Sequence, residues 1–71
     1  KQNWMNVNRW NHKPNGNYTR MIERNDWITM FQKQGQWKHV YKGVFSDSFA
    51  TLQEVLQASY DQYTNVILLR G

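Results

Sequence analysis

The chain has 71 residues, enough for a single domain spanning 1–71 and near the size at which one core barely suffices. With no cysteine and two histidines it offers neither a disulfide frame nor a zinc-ligand set, so no metal or cofactor is expected. The net charge is +4, and its distribution is uneven: residues 1–45 hold eight Lys or Arg against two acids, and residues 46–71 hold one against three. The first two thirds are thus suited to an anionic partner. No apolar run approaches the ~18 residues of a membrane span and no signal peptide is visible. An intracellular chain without a membrane partner is therefore expected.

Residues 4–10 alternate aromatic and β-branched residues with polar ones and read as extended. Pro14-Asn15-Gly16 supplies a turn, and a loop of this kind sets His12 opposite Tyr18. Tyr18 to Glu23 is the returning strand, followed by a turn at Arg24-Asn25-Asp26.

From Trp27 to Phe45 the chain reads WITMFQKQGQWKHVYKGVF. Its odd positions hold Trp27, Phe31, Trp37, Tyr41 and Phe45, and its even positions mix Ile28, Met30 and Val40 with Gln32, Gln36, Lys38 and Lys42. Side chains alternate across a strand, so this is a hairpin with an aromatic side and a mixed side. A three-residue turn at Lys33-Gln34-Gly35 sets Phe31 against Trp37, Ile28 against Val40, Trp27 against Tyr41 and Asp26 against Lys42. A two-residue Gln34-Gly35 loop would oppose Phe31 to Lys38, so the three-residue register is preferred.

After Phe45 the period becomes helical. Thr51-Leu52-Gln53-Glu54 fits a capping box, and Leu52, Val55, Leu56, Ser59, Tyr60 and Tyr63 share one stripe. A helix over about 51–63 is predicted, stopped near Asn65, with Val66–Leu69 as a short apolar strand or tail. The expected fold is α+β: two successive β-hairpins form an antiparallel sheet of three to four strands, packed on one C-terminal helix. Burying Lys38 and Lys42 under that helix would cost several kcal/mol each, so the aromatic side is expected inside.

Phe49, Thr51, Glu54 and Ala58 are similar in spacing to the helix start of AP2-type plant DNA-binding domains, in which one helix follows a small sheet. The likeness ends at Tyr60, one place late, and the Arg- and Trp-rich strand motif of that family is absent. The chain is not assigned to that family.

The expected function is a non-enzymatic binding module, with no small-molecule substrate evident. Nucleic acid is the preferred partner, contacted by Arg20, Arg24, Lys33, Lys38 and Lys42 on the basic sheet. The rival is a protein partner or homodimer, using an edge strand, an exposed Trp4 or Trp10, and the apolar tail Val66, Ile67, Leu68 and Leu69. An outward-facing aromatic row would instead suggest a stacking platform for single strands. Acid–base cleavage by His12 and His39 has thin support, because His39 lies among aromatics and His12 at a hairpin end.

Overall fold

A computed structural model describes residues 4–70, with backbone alone at 69 and 70. Five antiparallel strands lie in chain order: β1 (Asn11–His12), β2 (Tyr18–Glu23), β3 (Asp26–Lys33), β4 (Gln36–Tyr41) and β5 (Val44–Phe45). One helix, α1 (Leu52–Arg70), packs across the sheet, so the domain is α+β as expected. Every strand is joined to the next by a tight turn, which follows from the Gly and Asn at the turn positions.

His12 stands opposite Tyr18, the pairing expected from the Pro14-Asn15-Gly16 loop. Their rings stack at 4.1 Å. The β3–β4 register is not the expected one. Gln34 and Gly35 both take positive φ (55° and 79°), as a two-residue type I′ turn requires. Lys33 therefore faces Gln36, Phe31 faces Lys38, Met30 faces His39 and Ile28 faces Tyr41. The right-handed twist of that turn outweighs the cross-strand aromatic pairs that favoured the longer loop.

This one-residue difference exchanges a face of one strand. Ile28 and Met30 of β3 now share the inner face with Trp37, His39 and Tyr41 of β4, while Trp27 and Phe31 point away from the helix. The expectation that the whole odd row is buried is corrected: β4 obeys it, and β3 and Phe45 do not.

Helix α1 begins with the expected capping box. The Glu54 N–H donates to Thr51 Oγ1 at 3.1 Å, and the Thr51 N–H donates to Glu54 Oε1 at 3.3 Å. Val55, Leu56 and Ser59 are buried on the sheet. The helix bends at Tyr63, whose backbone is non-helical (φ −112°, ψ 21°), and then continues. The expected strand or tail at Val66–Leu69 is instead the last part of α1, because Ile67 extends the apolar stripe into the core.

The segment before β1 is a 3-10 turn over Val7–Arg9, capped by Asn6 rather than extended. Trp4 and Trp10, expected to be exposed, are 2 % and 5 % accessible. Their rings meet edge-to-face at 4.8 Å. The Trp4 indole N–H donates to Ser59 Oγ (3.0 Å), and the Trp10 indole N–H donates to the Trp4 carbonyl (2.9 Å). A small domain thus seals its core with two tryptophans whose polar atoms both find partners.

Candidate functional site

The strand pairings lay out the sheet's outer face. Asn11 pairs with Thr19, Thr19 with Thr29, Thr29 with Val40 and Val40 with Phe45. These residues form one row across all five strands, about 19 Å long at the usual strand spacing. Thr19, Thr29 and Val40 are small and β-branched, so the middle of the row is low. On one side stand Met21 and Trp27, which pair with each other. On the other stand Phe31 and Lys38, also a pair. Trp27 is 47 % exposed and Phe45 63 %. Phe31 and Phe45 meet edge-to-face at 6.0 Å, closing the β5 end of the row. None of the residues of this row or of its two flanking pairs is a carboxylate.

Lys38 stands at one side of this row, half-buried and directly across from Phe31. Lys33 lies at the exposed end of β3 beside the Gln34-Gly35 turn. Lys13 opens the β1–β2 loop, its N–H donating to the Asn17 carbonyl at 2.8 Å. A pocket of about 270 Å³ lies between Lys13, Thr19 and Trp27. Thr19 Oγ1 is buried there and makes no hydrogen bond.

The other expected phosphate contacts lie elsewhere. Arg20 faces inward, its guanidinium 5.0 Å from the centre of the buried Trp4 ring. Burial, with repulsion from Arg9 added, holds its pKa below the ordinary guanidinium value. Its Nη1 is buried without a hydrogen bond. Lys42 sits in the β4–β5 turn, 3.5 Å from Asp26 and 3.9 Å from Glu23. Those carboxylates, Asp26 foremost, raise its pKa and claim part of its charge. Arg24 is exposed in the neighbouring β2–β3 turn. The five cations therefore do not converge: Lys38 and Lys33 border the aromatic face, Arg24 and Lys42 occupy the opposite end of the sheet, and Arg20 lies beneath it.

Among the residues expected at a protein interface, Trp4, Trp10 and Ile67 are buried and Val66 is partly buried. Leu68 is exposed, and the Leu69 side chain lies outside the described residues. His39 is 1 % accessible, and His12 is exposed on β1. Among the described residues no group of three His, Cys, Asp or Glu side chains could hold a metal. No helix of the described residues is long and apolar enough to cross a membrane.

The residues that sequence reasoning placed indoors, Trp27, Phe31 and Phe45, are the ones that form the outer surface. The signal was the Gln34-Gly35 pair, whose positive φ values fix the register. Compared with known proteins, the chain matches no family model, no curated protein and no solved structure.

Proposed function

We propose that this domain is a non-enzymatic module that binds single-stranded nucleic acid on the outer face of its sheet. The observation that carries this reading is the company Lys38 keeps. It stands opposite the half-buried Phe31, on the same outer face as exposed Phe45 and Trp27, in a chain of net charge +4. Exposed rings give unstacked bases a platform, and the lysines neutralise the phosphates between them. A flat sheet face of this length accommodates about two or three stacked bases. Duplex DNA keeps its bases stacked inside and offers such rings little.

The test is a binding titration of labelled single-stranded and duplex oligonucleotides over a series of salt concentrations. Single strands should bind more tightly, with affinity falling as salt rises. Phe45→Ala should weaken binding at least about fivefold, the lower end for loss of a base–aromatic stack. Lys38→Ala should reduce the salt slope by about 0.7, as expected when one phosphate contact to a single strand is lost. Absent or salt-independent binding would sink this reading.

A protein partner is the second reading, favoured by β5. This two-residue strand is outermost in the sheet, and both Val44 and Phe45 are exposed on it. An outer strand of this kind can pair with another chain. Light scattering over a range of concentrations separates the two readings: growth of mass with concentration, abolished by Val44→Pro, supports pairing through this edge.

A further inference from the structure

We infer that the hollow between Lys13 and Trp27 is a nucleotide subsite, seating one base against the Trp27 ring with its phosphate at Lys13. This inference rests on the single-strand reading and adds to it a fixed point on the sheet. Three observations meet there. The Trp27 ring stands free of the core, about half exposed, beside a hollow of about 270 Å³. Lys13 borders the same hollow from the β1–β2 loop, and its ammonium makes no ion pair among the described residues. Beneath them Thr19, paired with Asn11 on the outer face, forms the floor of the hollow.

The chemistry selects the ligand. An aromatic wall and an ammonium around one hollow suit a planar ring attached to an anion, which describes a nucleotide unit. A purely apolar occupant would make no use of Lys13, and a bare anion would make no use of Trp27. The loop that holds Lys13 is fixed locally: the Gly16 N–H donates to the Lys13 carbonyl (2.9 Å), and the Asn17 N–H to Asn15 Oδ1 (3.0 Å). Lys13 therefore starts from an ordered backbone, which lowers the entropy lost on binding. Lys13 is not among the cations expected from the sequence to meet phosphate. Its role is visible only once Asn11 is seen opposite Thr19.

The decisive experiment titrates the 71-residue chain with a hexathymidylate and with thymidine monophosphate, for the wild type and for Lys13→Ala, Thr19→Leu and Phe45→Ala. Circular dichroism of each variant checks the fold, and Thr19→Leu fills the hollow from an outward-facing strand position. Lys13→Ala and Thr19→Leu should each weaken hexamer binding at least about fivefold, and Lys13→Ala should lower the salt slope by about 0.7. The monophosphate should bind more weakly than the hexamer and lose its binding in both variants. If wild type binds and Phe45→Ala weakens it while Lys13→Ala and Thr19→Leu bind normally, the platform stands and the subsite is overturned. If the wild-type chain binds no hexamer at any salt, both readings fall together.

Discussion

Phe31 lies directly across from Lys38, not from Trp37. That pairing divides the aromatic residues between core and surface, and it is set by two turn residues. Gln34 holds φ 55° and Gly35 holds φ 79°. Left-handed backbone costs an L-residue other than Asn or Gly about 1–2 kcal/mol. Gly35→Ala should therefore destabilise the domain by about 1–2 kcal/mol in denaturant melts. Gln34→Asn should stabilise it by roughly 0.5–1 kcal/mol, since Asn-Gly is the favoured pair for this turn. Stability unchanged in both variants would mean the turn does not set the register.

The Trp4 indole is buried and has Ser59 Oγ as its acceptor, while the Ser59 hydroxyl donates to the Leu56 carbonyl at 2.8 Å. Ser59→Ala leaves an indole N–H in the core with no acceptor. Such an orphaned donor costs about 1–3 kcal/mol. A chemical melt monitored by tryptophan fluorescence should show that loss. The variant should leave oligonucleotide affinity alone, because Ser59 lies on the side of the sheet away from the proposed surface.

His39 lies in the core with both ring nitrogens unbonded, and the Tyr63 ring meets it edge-on at 5.8 Å. Burial lowers its pKa from 6.5, so the folded chain resists protonation there more than the unfolded chain does. The stability contributed by the neutral imidazole is complete above pH 6.5 and is lost as pH falls toward the lowered folded value. The loss has a limiting slope of about 1.4 kcal/mol per pH unit. His39→Leu should flatten stability between pH 7 and 5 in urea melts. An unchanged acid slope in that variant would assign the effect to another group.

Thr51 and Glu54 cap α1 reciprocally, and Glu54 Oε1 also accepts from the Ala50 N–H at 3.0 Å. Thr51→Ala should cost about 1 kcal/mol, the usual worth of an N-cap. Thermal melts by circular dichroism measure it, and Thr51→Ser should recover most of the loss.

The parts of this fold that were legible in the sequence are those fixed by neighbours. The His12–Tyr18 pairing follows from one loop, and the capping box from four consecutive residues. The β3–β4 register was missed because two local signals conflict. Cross-strand ring pairing argued for one alignment and backbone handedness at Gln34-Gly35 for another. Each pair is worth only tenths of a kcal/mol, whereas a turn of the wrong hand splays the strands. Arg20 was read as a surface cation because nothing near it in sequence reveals the Trp4 ring it covers. The composition of Val66–Leu69 points to an apolar tail, and only the burial of Ile67 in the core explains why it stays helical.

The bond between Trp4 and Ser59 joins positions 55 residues apart. The hairpins close over a few residues each and can form early. Trp4 cannot make this bond until α1 arrives, so its indole is among the last groups of the core to find a partner. Throughout that interval a growing or refolding chain carries an indole N–H without its acceptor. The order of assembly, more than the finished surface, sets where this small domain is exposed to misassociation.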